Sequence, residues 1–224
     1  MTPSIKADLE PLQGPVWVVD DDDVRHIIRY ALATHGLDVR TFASGEEFLE
    51  KVKYDRPGAL VLDLHMPGLS GLDVQAELLR QGSPIAVIFL SSRGTVRGAV
   101  NAMRNGAITF LEKPVDLEEL TQNIALALRI SHARAKKFKL QSLINTLSKR
   151  EKDIFEYLCQ GMRTNEIADT VSRSQRTIEV HRAHIARKLA PYNVAQLLFE
   201  LNEANVTLAS RFMPELDNTL RRRK

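Results

Sequence analysis

The chain has 224 residues, of which 44% are hydrophobic and 26% are charged, a balance that is ordinary for a globular protein. Its single cysteine, Cys159, excludes an intramolecular disulfide and argues against a cysteine-based zinc site. Uncharged stretches such as residues 81–92 are too short to span a membrane, and residues 1–14 lack the apolar core of a secretory signal. We therefore expect a cytoplasmic protein.

The charge is divided unevenly along the chain, although the net charge is only +3. Residues 1–132 carry 13 Lys and Arg against 18 Asp and Glu, whereas residues 133–224 carry 18 against 10. An acidic half joined to a basic half predicts two domains, of which the second meets a polyanion. The terminal Arg-Arg-Arg-Lys run explains only half of the positive excess. The predicted divisions are a leader (1–13), a first domain (14–132), a linker (133–146), a second domain (147–205) and a basic tail (206–224).

The first domain alternates short apolar runs with segments of helical periodicity. The runs are too short for typical helices, and they are typical of strands that are buried on both faces of a parallel sheet. Five strand–helix repeats with short connections predict a doubly wound α/β fold. The predicted strands are 15–19, 37–42, 59–62, 85–90 and 107–111; the predicted helices are 24–36, one that opens at 44, 70–80, 96–105, and one from 116 to at least 129.

Polar side chains follow the ends of four of these strands. Asp20 and Asp21 follow the first strand, Asp63 the third, Ser91 the fourth and Lys113 the fifth. Because the carboxyl ends of parallel strands meet at one edge of the sheet, we expect these side chains to converge. Each of them alone is also explained as a turn former, a cap or a surface lysine.

The set as a whole suits phosphoryl transfer. The Asp63 carboxylate can attack phosphorus and form an acyl phosphate. Neighbouring carboxylates suit Mg²⁺, which would offset the repulsion between Asp63 and an incoming anion. Lys113 supplies positive charge for one phosphoryl oxygen, and the Ser91 hydroxyl can donate a hydrogen bond to another. No Gly-rich loop or general-base histidine lies nearby, which excludes a nucleotide-hydrolysing site.

Four segments resemble the motifs of response-regulator receiver domains. They are Val18-Val-Asp-Asp21, Leu62-Asp-Leu-His-Met-Pro67, Leu90-Ser91 and Phe110-Leu-Glu-Lys-Pro114. The resemblance covers about residues 14–132, and it implies that Asp63 accepts a phosphoryl group from a sensor histidine kinase.

The resemblance also implies roles for the residues around Asp63. It implies an Mg²⁺ ion bound by Asp21, Asp63 and the backbone carbonyl of His65, with Asp20 assisting. It implies Ser91 as the switch hydroxyl and Phe110 as the aromatic ring that changes rotamer with it. A cis peptide bond before Pro114 is common in this family.

The acidic segment departs from the family pattern in its length. Between the acidic pair and the Val-Arg that begins the first helix, the family has one more residue than the two, Asp22 and Asp23, that stand here. Either the loop is shortened or the functional pair is Asp21 and Asp22. The preceding strand aligns without a gap when the pair is Asp20 and Asp21. The His65 imidazole is expected to line the cleft entrance rather than to bind the metal.

The predicted linker lacks Gly and Pro over residues 126–147, which favours a continuous helix over a flexible connector. It contains several basic residues, and its apolar residues form a stripe along the predicted helix. The stripe can pair two chains or dock on either domain.

Residues 148–202 are predicted to form four short helices, of which the first opens with a capping box of Ser148 and Glu151. The first ends at Gly161, and the others are predicted at 165–171, 177–189 and 193–202, with a tight turn at 172–175. This is the pattern of a helix-turn-helix. On the third helix, residues 178, 181, 185 and 189 share a face that should be buried, with His181 as a core histidine. Small and polar residues lie opposite that face and can approach the major groove, while two cations at the sides are placed for phosphates. The predicted DNA-binding residues are Arg176, Thr177, Glu179, Val180, Arg182, Ala183, Arg187 and Lys188.

This part of the chain resembles LuxR-type DNA-binding domains through Leu147-Ser-x-Arg-Glu151, Asn165-Glu-Ile-Ala168 and the Arg176-Thr-Ile-Glu-Val-His-Arg182 segment. A receiver followed by this module is the arrangement of FixJ/NarL-type response regulators. It implies a transcription regulator that binds double-stranded promoter DNA as a homodimer formed on phosphorylation. The implied pairing surfaces are residues 96–110 and 193–201, and RNA polymerase is a further candidate partner.

Two alternatives remain open at this point. An aspartyl-phosphate phosphatase would also use Asp63 as nucleophile, with His65 in the place of a second acid. A phosphorylation-independent DNA-binding regulator with a degenerate receiver would explain the short acidic loop. We prefer the switchable regulator, which is not an enzyme.

Overall fold

Five strands form one parallel sheet in the order β2-β1-β3-β4-β5. Strand β2 lies on one side of β1, and the chain then returns to place β3 on the other side. The direction in which strands are added therefore changes between β1 and β3. In such a sheet, a ligand crevice forms outside the carboxyl ends of the strands at this point. The doubly wound α/β architecture predicted from the sequence is therefore confirmed. The strands are β1 (Pro15–Val19), β2 (Asp38–Phe42), β3 (Ala59–Asp63), β4 (Ala86–Ser91) and β5 (Thr109–Glu112).

The computed structural model describes residues 14–21, 24–92 and 96–206. The predicted leader and all but the first residue of the predicted tail lie outside these ranges. The chain divides into two compact units, Met1–Ala135 and Lys136–Lys224, which are described separately. No helix within the described ranges is long and apolar enough to cross a membrane.

Helices cover both faces of the sheet in the first unit. Alternate strand residues point to opposite faces, and on β3 this places Val61 in one core and Leu60 and Leu62 in the other. All five residues of β3 are buried, which explains why its sequence is apolar without alternation up to Asp63. The helices are α1 (Val24–Thr34), α2 (Gly45–Lys51), α3 (Gly71–Arg80), α4 (Val96–Arg104) and α5 (Leu117–Asn145).

Two buried polar side chains join elements of this unit. The hydroxyl of Ser131 on α5 accepts a hydrogen bond from the N–H of Gly58 and donates one to the carbonyl of Pro84, both at 2.8 Å. The amide nitrogen of Gln75 on α3 donates to the carbonyls of Ala102 and Asn105 at the end of α4. These bonds satisfy backbone groups that the ladders of sheet and helix leave open.

The second unit packs four short helices around one core, as predicted for the helix-turn-helix domain. The last turns of α5 take part, because Leu140 and Ile144 are buried in the same cluster as Ile154 and Phe155. The segment predicted as a linker is therefore helical, and its final part belongs to this core. The four helices are α6 (Lys149–Cys159), α7 (Thr164–Thr170), α8 (Gln175–Leu189) and α9 (Val194–Glu203).

Two helix starts differ from the prediction. Helix α7 begins at Thr164 rather than after it, because Glu166 accepts a hydrogen bond from the N–H of Arg163 and so closes the first turn one residue earlier. Helix α8 begins at Gln175 rather than at Thr177, because the Ser174 hydroxyl accepts the Thr177 N–H and caps the helix there.

Candidate functional site

The polar residues at the strand ends do converge at the carboxyl edge of the sheet. Oxygen atoms of Asp20, Asp21 and Asp63 lie within 4.8 Å of one another. Asp20 follows β1 and is fully buried, Asp63 ends β3 and is 5% exposed, and Asp21 is exposed at the rim. The adjacent pairing of β1 with β3 explains why the two buried carboxylates are neighbours. The sequence-based grouping of these three aspartates agrees with this geometry.

Lys113 reaches into this acidic cluster from the end of β5. Its ammonium nitrogen lies 2.6 Å from Oδ2 of Asp20 and 3.1 Å from Oδ2 of Asp63. The lysine side chain is only 13% exposed, so the interaction is shielded from solvent. The peptide bond between Lys113 and Pro114 is cis, as the sequence led us to expect.

The cluster brings several carboxylates together at a largely buried site. Burial raises the pKa of Asp63, and the ammonium of Lys113 opposes that effect only in part. Burial also disfavours the charged form of Lys113, but the carboxylates of Asp20 and Asp63 outweigh it and raise the pKa of this lysine. The oxygens of the three carboxylates are the hard ligands that Mg²⁺ prefers. The residues present therefore fit a divalent cation.

The loop between β3 and α3 borders the cluster. The N–H of His65 points to Oδ1 of Asp63 at 3.4 Å, and the His65 side chain is exposed. A hydrogen bond from the N–H of Leu69 to Glu46 on α2 holds the carboxyl-terminal part of this loop, a contact that sequence reasoning missed. The role of the His65 carbonyl as a metal ligand stays a prediction.

The two predicted switch residues lie on neighbouring strands. Ser91 ends β4 and is fully buried. Phe110 on β5 is half-buried and stacks on Phe89 of β4, with ring centroids 6.4 Å apart and ring planes inclined by 28°. The alternative metal-binding pair Asp21 and Asp22 is only half described, because Asp22 lies outside the described ranges.

A second candidate surface lies on α8. Ile178, Ile185 and Leu189 are buried and fix the helix to its core, whereas His181 is half-buried. The opposite face is open to solvent, and Val180 is 50% exposed there. The predicted DNA-binding residues that are exposed on α8 are Arg176, Thr177, Glu179, Val180, Arg182, Ala183 and Arg187.

Two cations of α8 already have partners within the second unit. Nη1 of Arg182 donates to the Thr164 hydroxyl at 2.7 Å, which holds that guanidinium beside the start of α7. The ammonium of Lys188 lies 2.6 Å from Oε2 of Glu151 and donates to the carbonyl of Thr146 at 3.2 Å. Lys188 therefore contributes to folding of this unit, in contrast to Arg187 beside it.

Replacement of Glu151 by Gln is expected to destabilise the second unit by about 2 kcal/mol at neutral pH. The ammonium of Lys188 and the N–H of Ser148 lower the pKa of Glu151 from 4.5 to about 2. Because the pKa is lower in the folded chain, this stabilisation is present above about pH 4.5 and is lost as the pH falls towards 2.

Urea denaturation between pH 7 and pH 3 measures this effect. Glu151→Gln should lower the midpoint at pH 7 and flatten its fall in acid. Glu200→Gln removes a half-buried carboxylate that pairs with the exposed ammonium of Lys136 in the same unit, and it should leave the midpoint nearly unchanged. Equal midpoints for Glu151→Gln and the unaltered chain at pH 7 would contradict the prediction.

Comparison with known proteins assigns both units to described families. Residues 16–125 match the response regulator receiver domain, and residues 145–199 match the luxR family of bacterial regulatory proteins. The tetrathionate response regulatory protein TtrR of Salmonella typhimurium is 32% identical over 80% of this chain and 87% of its own length. The transcriptional regulatory protein FixJ of Azorhizobium caulinodans is 36% identical over 84% of this chain and 92% of its own.

A solved structure agrees with these sequence matches. The response regulator StyR superposes with a TM-score of 0.64 at 33% identity, over 84% of this chain and 98% of that one. The similarity therefore extends across both units.

Proposed function

Because the chain belongs to the FixJ/NarL-type response regulators and is a phosphorylation-dependent transcription factor, we propose that Asp63 is its phosphoacceptor. The observation that carries this assignment is the buried carboxylate of Asp63, placed at a strand end between the ammonium of Lys113 and the acidic pair Asp20 and Asp21. Asp63 combines nucleophilic oxygens with an adjacent positive charge for the incoming phosphoryl group. Asp20 lies deeper and is fully buried, which leaves it less accessible.

The chemistry follows from these positions. A carboxylate oxygen of Asp63 attacks the phosphorus of a phosphohistidine on the partner kinase, the P–N bond breaks, and its electron pair stays with the imidazole. Lys113 is near enough to Asp63 to bind an oxygen of the transferred group. Asp20, Asp21 and Asp63, with the carbonyl of His65, would hold Mg²⁺, which when bound supplies positive charge against the repulsion between carboxylate and phosphate.

The switch begins once the new phosphoryl group accepts a hydrogen bond from Ser91. The side chain of Phe110 then moves towards the space that Ser91 leaves, which changes the surface formed by α4 and β5. That surface has apolar side chains ready for a partner, since Val96 is 82% exposed and Val100 and Met103 are nearly half exposed. We propose that two phosphorylated receivers pair there and present two copies of α8 to a paired promoter site.

The two rival functions receive less support. A phosphatase would need His65 or another acid to protonate a leaving group. The contact that the structure describes between His65 and Asp63 is made by the backbone N–H, and the His65 imidazole is exposed. A degenerate receiver is disfavoured because the acidic cluster and Lys113 are assembled despite the short loop. The cytoplasm, where promoter DNA is accessible, is the proposed site of action, and RNA polymerase is a proposed further partner.

DNA binding at fixed salt, with and without acetyl phosphate and Mg²⁺, tests the proposal. The probe is a duplex selected from a random-sequence pool by the untreated and the treated protein. We expect acetyl phosphate with Mg²⁺ to tighten binding about tenfold or more and to shift the protein from monomer to dimer. Chelation of Mg²⁺ before the phosphodonor is added should abolish both effects. Equal affinities under all conditions would show that the receiver does not act as a switch.

A further inference from the structure

One side chain outside the acidic cluster is placed to control the loop that borders it. Glu46 lies in the first turn of α2, and its Oε1 accepts a hydrogen bond from the N–H of Leu69 at 2.8 Å. The two residues are 23 positions apart, so this bond ties α2 to the carboxyl-terminal part of the β3–α3 loop. We infer that Glu46 is a positioning residue that orders this loop, residues 64–70, for metal binding. The inference rests on the proposed function of the acidic cluster.

The backbone at Gly68 is shaped to admit the Glu46 carboxylate. Gly68 has φ = +74°, a left-handed conformation that residues with a Cβ rarely adopt. A Cβ built on Gly68 would lie 2.3 Å from Oε1 of Glu46, which is well inside van der Waals contact. A glycine at this position therefore allows both the left-handed backbone conformation and the close approach of the Glu46 carboxylate. The N–H groups of Glu46 itself and of Leu69 lower the pKa of Glu46, so it accepts this bond as a charged group at neutral pH.

The loop has several attachments, and Glu46 holds its carboxyl-terminal part from α2. At its start, the N–H of Leu64 donates to the carbonyl of Leu90 at 3.0 Å. At its end, the N–H of Ser70 donates to Asp73 at 3.0 Å in the cap of α3. Between these points lie His65, whose carbonyl is the proposed metal ligand, and the turn through Gly68.

Loss of the Glu46 attachment should weaken metal binding through disorder of the loop rather than through lost ligands. A backbone carbonyl that moves freely must be ordered when the cation binds, and that ordering reduces the affinity. Groups that orient metal ligands commonly change affinity by 10–100-fold when they are removed. Because Glu46 is exposed and acts on a single loop, we expect an effect of about fivefold.

A purely electrostatic role for Glu46 predicts a different pattern among variants. Glu46→Ala removes both the negative charge and the acceptor. Glu46→Gln keeps an acceptor oxygen at the same reach and removes the charge. Glu50→Ala removes an exposed carboxylate from the same helix. Positioning by hydrogen bond therefore predicts that the Gln variant resembles the unaltered chain, whereas attraction of the cation predicts that it resembles the Ala variant.

The experiment has two measurements on the full chain. Calorimetry gives the Mg²⁺ affinity, and hydrogen exchange gives the protection of the backbone N–H groups of residues 64–70 in the absence of metal. We expect Glu46→Ala to bind Mg²⁺ about fivefold more weakly and to exchange the Leu69 N–H faster. Glu46→Gln and Glu50→Ala should stay within about twofold of the unaltered chain in both measurements.

Two results would overturn the inference: unchanged Mg²⁺ affinity and exchange in Glu46→Ala, or a Gln variant as weak as the Ala variant. Failure of the proposed function has its own signature, because the unaltered chain would then bind no Mg²⁺ at all. In that case the exchange rate of Leu69 would still report whether Glu46 orders the loop, but its role in metal binding would be refuted.

Discussion

Asparagine in place of Asp63 is expected to abolish the response of DNA binding to acetyl phosphate and, in metal-free buffer, to raise the stability of the first unit by about 1 kcal/mol. The first effect follows because an amide cannot form the acyl phosphate. The second follows from the pKa of Asp63, which burial raises. A raised pKa means that the ionised carboxylate is disfavoured in the folded chain at neutral pH, so its removal stabilises the fold. Lys113 keeps Asp20 as its partner.

Magnesium should reverse this order of stability. In the unaltered chain, the cation binds the folded state through Asp20, Asp21 and Asp63, and it stabilises that state by mass action. Asp63→Asn loses a charged ligand and should gain less from the same concentration of Mg²⁺. We therefore expect Asp63→Asn to have the higher melting temperature in chelator and the unaltered chain to have the higher one in excess Mg²⁺. Thermal denaturation of both proteins under both conditions measures this.

The same Asp-to-Asn substitution at a surface position provides a control for Asp63→Asn. Asp55 is exposed in the turn after α2, and Asp55→Asn should match the unaltered chain in DNA binding and in both melting experiments. A phosphodonor response that persists in Asp63→Asn would place the phosphorylation elsewhere. A lower melting temperature of Asp63→Asn in chelator would mean that Lys113 depends on Asp63 more than on Asp20.

The sheet and the acidic cluster were predictable because each depends on local sequence and one topological rule. The run 59–62 is apolar at every position, and this alone indicates a strand that is covered on both faces. Once the strands are parallel, the residues that follow them must share an edge, so Asp20, Asp63 and Lys113 could be grouped without knowledge of any contact. The structure adds that Lys113 contacts both buried carboxylates.

Contacts between distant polar side chains were not predictable in this way. The sequence indicates Glu151 as part of a capping box, which the structure confirms, but nothing local indicates its second partner Lys188, 37 residues away. Ser131 is equally ordinary in sequence, since a serine within a helix is usually exposed. It is buried here because two loops of the sheet each leave one backbone group open at the same place.

The same limit affected the prediction of the DNA-binding face. A helical wheel places Arg187 on the face opposite the core and Lys188 at the side of α8, and it predicts that both contact DNA. The structure separates them, because the ammonium of Lys188 lies on Glu151 whereas the guanidinium of Arg187 is exposed. Arg187→Ala is therefore expected to weaken DNA binding without changing stability. Lys188→Met should instead destabilise the second unit, since Glu151 is then left buried without its cation.

Alanine variants of the exposed arginines should weaken binding to the selected duplex about 10- to 100-fold. The dependence of binding on salt and on DNA sequence should distinguish arginines that contact bases from those that contact phosphates. Arg176 and Arg187 lie on the face proposed to enter the major groove. Their loss should reduce discrimination between the selected duplex and a scrambled one. Arg182 is held towards α7 by Thr164, at the side of α8 where a phosphate would pass.

Arg182→Ala should accordingly weaken binding to both duplexes alike and reduce the slope of log affinity against log salt by about one. Titrations of each variant with both duplexes at several salt concentrations measure the two quantities together. If Arg176→Ala and Arg187→Ala lowered the affinity for both duplexes equally, the exposed face of α8 would contact only the DNA backbone. Val180 would then have no base edge to meet, and the major-groove assignment of α8 would be wrong, because its exposed apolar side chain gains nothing from a surface of phosphates.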